Sequence, residues 1–477
     1  AWSALFKMTG QKLQLLSDID MFIAVEKSLR GGVCAVSHRH SKANNPRVAG
    51  YDDKLPRKWL RYDDANNLYG WAMSQRLPVG GFRWGDITKW SEARIRRMDD
   101  DAKYGAFLCV DLEYPREIHD AHNDYPLCPE RTNVPKEWMS QYQRGLLGET
   151  YADCEKLVPN LRDKTEYWIH YRNLKFALSH GLKLKSIRQV IEFRQEAWMK
   201  PFIDFNTSLR SKATNDFEKD LYKLMNNACF GKTMENMRAR RDIQVLRTES
   251  LAFKRWVAEP TYRGRKFITH DSEYCNDLVI AERAFSKVKL FKPIYVGSAV
   301  LDLSKLHMWS FWYDYIKPKY GKDVRLCYTD TDSLIYEITG ETDPTLDFVG
   351  TKGSMFDTSD YPAGHPQQSN DNKKVLGKFK DEAMGVAIAE FVGLRPKLYA
   401  IRLDSGDHQV RGDKSIKLET KKSKGTKKSV VAKEIKFEHY LQTLETKRPM
   451  SHSQMSFKSD CHQVYTTKAE STCALWK

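Results

Sequence analysis

Two carboxylates one residue apart, Asp330 and Asp332, occupy the centre of Tyr328-Thr329-Asp330-Thr331-Asp332-Ser333. β-rich runs on either side make this polar segment the tip of a hairpin. Acids at a hairpin tip serve as turn formers, yet two so close repel one another unless a cation sits between them. A third acid, Asp64, ends the alternating run Trp59-Leu60-Arg61-Tyr62-Asp63-Asp64, in which Leu60, Tyr62 and Asp64 share one face of a strand. The following residues, Ala65 to Gly70, turn and start a helix. Asp64 is therefore either that helix's cap or a carboxylate presented where a strand ends. A second helix starts near Asp216, with Asn215 as N-cap and Glu218 as capping-box partner. Its apolar stripe, Phe217, Leu221, Leu224 and Ala228, reads as core; Lys219, Lys223, Asn226, Asn227 and Phe230 share the opposite face. No acid stands at i+4 to pair either lysine. That face suits a triphosphate at one end and a sugar or base at the other.

These elements belong to a chain of 477 residues, about three domain-sized units. Its hydrophobic fraction of 41% and charged fraction of 29% exclude wholesale disorder. The formal charge of +16 favours polyanions, nucleic acid before acidic membrane. No apolar run approaches the ~18 residues of a membrane helix. The chain starts at Ala1 with neither an initiator Met nor a signal sequence, and reads as the cut edge of something longer. Nine cysteines are scattered singly, which points to a reducing intracellular compartment. Cys461 beside His462, with Cys473 beyond, is half a metal site lacking a second close pair.

From Lys414 to Lys436 the chain is dense in lysine, and Val430, Val431, Ile435 and Phe437 mark a folded basic element there. Asp357 to Lys374 reads as a surface loop. Val296 to Tyr315 has helical apolar spacing (Val300, Leu303, Leu306, Trp309) suited to packing beneath a sheet.

The three chemical segments match a family. Asp64-Ala65-Asn66-Asn67-Leu68-Tyr69-Gly70 resembles motif A of B-family DNA polymerases, Asp-x-x-Ser-Leu-Tyr-Pro. Lys223 to Gly231 resembles motif B, Lys-x-x-x-Asn-Ser-x-Tyr-Gly, and Tyr328 to Ser333 matches motif C at every fixed position. Lys397-Leu398-Tyr399 fits the Lys-x-Tyr motif of the protein-primed organellar and viral branch. The flavour is that of Polinton/Maverick-type mobile-element polymerases. Departures are Asn67 for Ser, Gly70 for Pro, Ala228 for Ser and Phe230 for Tyr; Arg30-Gly31-Gly32 resembles the Tyr-x-Gly-Gly element with Leu29 at the tyrosine position. Too few residues precede Asp64 for an exonuclease domain, and Asp111-Leu112-Glu113 imitates a nuclease motif on the wrong side of motif A.

The resemblance implies an α+β, right-hand architecture of palm, fingers and thumb with the two insertions of protein-primed polymerases. The expected division is 1–70 for the N-terminal palm, 71–186 for the first insertion and 187–240 for the fingers. It continues with 241–290 for the second insertion, 291–404 for the C-terminal palm and 405–477 for a thumb-like basic region. The implied activity is template-directed DNA synthesis: nucleotidyl transfer from a dNTP to a primer 3′-hydroxyl, or protein-primed initiation. Asp64, Asp332 and Lys223 are the expected catalytic residues. Asp64 and Asp332, with Asp330 as auxiliary acid, are expected to hold two Mg²⁺ ions, with Mn²⁺ as a substitute. Tyr69, Leu68, Lys219, Asn227 and Phe230 are expected at the nucleotide; Gly31, Gly32, Thr331, Lys397, Tyr399, Lys421 and Lys422 at the DNA. The implied partners are primer–template DNA, dNTPs and a terminal protein as primer, with no membrane, and the nucleus is the compartment if a eukaryotic mobile element encodes the chain. Two rivals stand beside this reading: a reverse transcriptase, which the lysine helix between the acidic motifs argues against, and a catalytically inactive DNA-binding remnant of a mobile element.

Overall fold

Six strands build the central sheet, in the spatial order Cys34–Val36, Val324–Asp330, Ser333–Thr339, Lys58–Ala65, Phe379–Asp381, Phe356–Asp357. All neighbours are antiparallel except the last two strands. The computed structural model describes residues 1–147, 154–267, 278–406, 417–460 and 463–474. The hairpin read from the sequence joins Val324–Asp330 to Ser333–Thr339, and its second strand pairs with Lys58–Ala65 in a register that sets Ser333 opposite Asp64.

Beneath this sheet runs the helix Ile294–Ser310, continued by a π-turn over Phe311–Ile316. It is buried on nearly every side rather than along one stripe, as a helix enclosed by protein on all faces must be. Trp309, Phe311 and Trp312 join Leu326, Leu334, Tyr336 and Ile338 in one core. Under Lys58–Ala65, Arg61 is fully enclosed: its guanidinium bonds Asp63 (3.0 Å) and Asp381 (3.1 Å) and lies 3.7 Å from the Phe348 ring. A buried charge is tolerated only when paired in this way.

A second sheet, ordered Glu419–Ser423, Leu398–Leu403, Ile388–Arg395, His40–Lys42, packs its inner face on Leu60, Tyr328 and Ile335. Its outer face is covered by the helices Lys428–Lys433 and Phe437–Thr446 through Val430, Ile435, Phe437 and Tyr440. The lysine-dense stretch is thus folded from 417 onward; residues 414–416 lie outside the described residues.

A third sheet is ordered Leu77–Trp84, Lys183–Glu196, Tyr104–Glu113, Lys164–His170. The expected division at 186/187 cuts through Lys183–Glu196, which pairs with Tyr104–Glu113 on both sides of that point. The helical segment begins only at Lys200–Lys212, followed by Asp216–Thr233. In this sheet Asp111 bonds Arg188 (2.9 Å) and Ser186 (2.6 Å), the role of a structural acid.

A separate unit contains Met234–Lys292 and Ser451–Thr472. Its three-stranded sheet, Arg241–Arg247, Leu278–Ala284, Tyr262–Phe267, is covered by the helix Leu251–Ala258 through Phe253 and Trp256. The expected thumb-like region 405–477 is therefore divided: the part up to Met450 belongs with the large unit, and the hairpin over 451–472 with the small one. Cys34, Cys109, Cys128, Cys154, Cys229 and Cys327 are free thiols. Cys461, His462 and the side chain of Cys473 lie outside the described residues. Among the described residues no helix is long and apolar enough to cross a membrane.

Candidate active site

Motifs A and C meet through the backbone. The amide of Ala65 donates to the Asp332 carbonyl at 2.7 Å, next to the register pair Ser333 and Asp64. The turn between Asp330 and Asp332 is tight, with the Asp332 amide on the Asp330 carbonyl (2.7 Å) and Thr331 left-handed at φ 66°. Thr331 is held from outside by Val33, whose carbonyl accepts its amide at 2.8 Å, and its side chain covers Gly32, where a Cβ would overlap it. Gly31 has open space around its Cα. Behind this loop Arg30 is buried, its guanidinium on the Trp168 carbonyl (2.7 Å) and its own carbonyl on the buried Lys305 ammonium (2.6 Å).

Asp64 and Asp332 both titrate above the usual carboxylate range. For Asp64 burial is the first cause, followed by the Asp332 charge and then Glu382; Lys223 and Lys380 oppose the shift. For Asp332 burial again leads, with Asp330 adding to it. Asp330 is handled differently: the Lys397 ammonium sits on its carboxylate at 2.5 Å, and the Tyr328 hydroxyl donates to it at 3.3 Å. Half-buried carboxylates raised by burial and by neighbouring acids fit a hard divalent cation. Among the described residues no group of three or more His, Cys, Asp or Glu side chains converges on one point. Asp64 and Asp332, with Asp330 beside them, are the residues that would hold such a cation, and water or substrate oxygens would complete its shell.

Asn67 is left-handed (φ 43°) and caps the helix Leu68–Met73, its carboxamide oxygen accepting the Gly70 amide at 3.3 Å. A Cβ at Gly70 would overlap that carboxamide. The Asn67 carboxamide thus occupies the space that the missing Cβ of Gly70 leaves. Leu68 is buried in the core, whereas Tyr69 projects toward motif B, where its ring stacks on Phe230. Its hydroxyl titrates high through burial and then the charges of Asp332 and Asp330.

The helix Asp216–Thr233 reverses one expectation. Phe217 is 77% exposed, Leu224 62% and Leu221 40%, so this stripe is not core. Asn226, Cys229 and Thr233 are buried instead, because close approach to Ile294–Ser310 and Leu68–Met73 demands small side chains. Asn215 caps the helix through the Glu218 amide at 2.9 Å. Lys223 is exposed and acts on both site aspartates without an ion pair. Lys219 bonds Asp216 at 3.0 Å, an i−3 partner that the i+4 spacing did not anticipate. The Asn227 carboxamide oxygen is buried without a hydrogen-bond partner.

The residues expected at the DNA divide. Tyr399 is 4% exposed, its ring packed on Tyr328 and its hydroxyl 3.0 Å from that of Tyr62, so it supports the site from within. Lys397 is engaged with Asp330. Lys421 is tied to the Ile435 carbonyl (2.6 Å) and Glu419 (3.3 Å), while Lys422 is exposed and acts on Glu382. Lys380 and Glu382 were missed. Lys380 stands opposite Asp64 in register, on a strand of three residues, too short to show a period. The stretch from Asp357 is also more than a surface loop, since Asp357 is buried against motif A.

Residues 3–318 match the family model for DNA polymerase type B, organellar and viral. No curated protein sequence matches the chain. Among solved structures, the Phi29 DNA polymerase complexed with primer-template DNA is similar at TM-score 0.53 and 17% identity, over 98% of this chain and 64% of that one. The same polymerase with primer-template DNA and incoming nucleotide substrates matches at TM-score 0.51 and 15% identity, over 99% of this chain and 66% of that one. The chain thus spans about two thirds of the length of these relatives, and shares their right-hand fold.

Proposed function

The chain belongs to the organellar and viral type B DNA polymerases, and from that premise we propose that it extends a primer 3′-hydroxyl with dNTPs under the direction of a DNA template. The observation that carries the reading is the approach of Asp64, near the end of Lys58–Ala65, to Asp332, in the turn that leads into the neighbouring strand Ser333–Thr339, with the charge of Lys223 acting on both. Asp64 and Asp332 would hold divalent cations, Mg²⁺ or its substitute Mn²⁺, which when bound stabilise the attacking and leaving oxygens. Lys223 offsets triphosphate charge, which is most of what phosphoryl-type transfer asks of a protein. Tyr69 lies under the sugar and leaves no volume for a 2′-hydroxyl, with Phe230 supporting its ring. Asn227 faces the nucleotide and Lys219 serves as a second phosphate contact on exchanging Asp216 for it. Lys397 keeps Asp330 neutralised beside Asp332 and, with Gly31, Gly32, Thr331 and Lys422, borders the primer–template. A terminal protein as primer is the partner that insertions over 71–186 and 241–290 would serve in this branch.

The decisive assay is incorporation of dNTPs into primer–template DNA by the purified chain with Mg²⁺ or Mn²⁺. Incorporation is expected, and Asp332→Asn should lower it on the order of 10³-fold with primer–template affinity nearly unchanged. A chain that binds DNA yet incorporates nothing with either cation is the remnant, and the proposal fails.

A further inference from the structure

We propose that Asp357 is a positioning residue of this site, acting through Asn66 on the turn that carries Asp64 and Tyr69; the inference rests on the polymerase reading above. Asp357 is 3% exposed. One of its carboxylate oxygens accepts the Asn66 side-chain amide at 2.7 Å and the Lys374 backbone amide at 2.8 Å, and the other accepts the Ser359 amide at 3.0 Å. The backbone of Asn66 is bound to the same segment: its amide donates to the Lys378 carbonyl and its carbonyl accepts the Gly377 amide, each at 2.8 Å. Side chain, amide and carbonyl of one motif A residue are therefore all committed to residues 357–378.

The placement of Asn66 gives this bonding leverage. Asp64 lies two residues before it, the left-handed Asn67 follows it, and Tyr69 is three residues on. The neighbouring Ala65 amide is already committed to the Asp332 carbonyl. The turn and Asp357 together border a cavity of about 130 Å³ lined by Asn66, Asn67, Arg210, Asp357, Lys374 and Lys380. Ala65 and Leu68 pack in the core on either side of it, but Asn66 itself is half-buried at the cavity and is held by these hydrogen bonds. Removing an acceptor buried beneath two donors frees the Asn66 carboxamide and leaves it unsatisfied. The turn then samples other geometries, and displacement of catalytic groups by a fraction of an ångström is enough to lower rates. The opposing reading is that Asp357 merely closes its own loop through the Ser359 amide, a common aspartate turn.

The two are separated by Asp357→Ala, Asn66→Ala and their combination, with the near-isosteric Asp357→Asn as a variant that preserves folding. Two quantities are measured: kcat/KM for matched dNTP and rNTP, and amide hydrogen exchange across residues 65–70. Each single change is expected to lower the dNTP/rNTP ratio about tenfold and to speed exchange in the turn about tenfold or more. The double variant should do no worse than Asp357→Ala, because both single changes remove the same Asn66–Asp357 bond. Unchanged exchange at 65–70, a constant ratio while both rates fall with Tm, or multiplying effects in the double variant each overturn the inference. An active wild-type chain with unaltered variants defeats this inference alone; an inactive wild-type chain defeats the polymerase reading and this one with it.

Discussion

The ring of Tyr69 lies 4.4 Å from that of Phe230 at an angle of 30°, so a motif A side chain leans on a motif B side chain. The contact joins two helices, Leu68–Met73 and Asp216–Thr233, that approach the site from different sides of the sequence. In the role proposed for Tyr69, a rigid ring backed in this way would discriminate by exclusion rather than by attraction.

Replacing Tyr69 with Val should therefore raise ribonucleotide use relative to deoxynucleotide use by about tenfold or more, while deoxynucleotide incorporation drops modestly. Phe230→Ala removes the support but not the ring, and a stacked pair worth about 0.5–1.5 kcal/mol corresponds to about two- to tenfold in the same ratio. Matched kcat/KM values for dNTP and rNTP decide the matter. A ratio that stays constant in both variants makes Tyr69 a packing residue.

The Asn67 and Gly70 pair should behave as a unit. Gly70→Ala forces a methyl into the Asn67 carboxamide, and should lower both Tm and incorporation. Asn67→Ser in the same chain removes the obstacle, and the double variant should recover part of the loss, a coupling of about 0.5–3 kcal/mol. Strict additivity in Tm and rate would show that the overlap is relieved elsewhere.

DNA binding by a +16 chain should weaken steeply with salt through counterion release. The two adjacent lysines should differ within that behaviour. Lys422→Ala removes an exposed ammonium and should reduce the log–log salt slope by about 1. Lys421→Ala should leave the slope unaltered, since its ammonium is bound to the Ile435 carbonyl and Glu419. Equal slopes for the two variants would contradict the assignment.

Stability should decline in mild acid. Burial lowers His122 to about 4, His170 to about 3 and His307 to about 4. An unfolded histidine titrates near 6.5, so between about pH 6.5 and 4 the unfolded chain binds more protons than the folded one. Their contribution is complete above 6.5 and is lost as pH falls through the folded values, at up to about 1.4 kcal/mol per pH unit for each histidine. The His170 ring is buried among Phe107, Tyr171 and Phe193 with neither nitrogen hydrogen-bonded. His170→Phe should therefore raise Tm and flatten its dependence between pH 7 and 5 by about a third. Parallel Tm profiles for the two proteins would refute this.

The parts of the site legible in the sequence are those written in short-range pattern. Alternation exposes the Asp64 strand, and a polar apex between β-rich runs exposes the Asp330–Asp332 tip. The helix face with Lys223 and Phe230 is likewise legible, but the fate of its opposite stripe is not. Apolar spacing signals a preference for burial, whereas the structure buries Asn226 and Cys229, because what fits beneath a helix depends on the backbone it approaches. Lys380, Asp357 and the Arg61 cluster escape detection for a related reason. Their partners come from distant segments, and strands of two or three residues carry no period.

The order of strands in the central sheet also bears on how the protein is made. The sheet over residues 77–196 closes from pieces close together in the chain. Lys58–Ala65, by contrast, finds its strand neighbours in the sheet at Ser333–Thr339 and Phe379–Asp381. At about 5–20 residues per second of synthesis, the strand bearing Asp64 waits tens of seconds with both edges open while the intervening sheet is completed. Contacts of such long range form slowly. The acidic site is thus among the last features to be assembled, on a scaffold whose peripheral sheet is already in place.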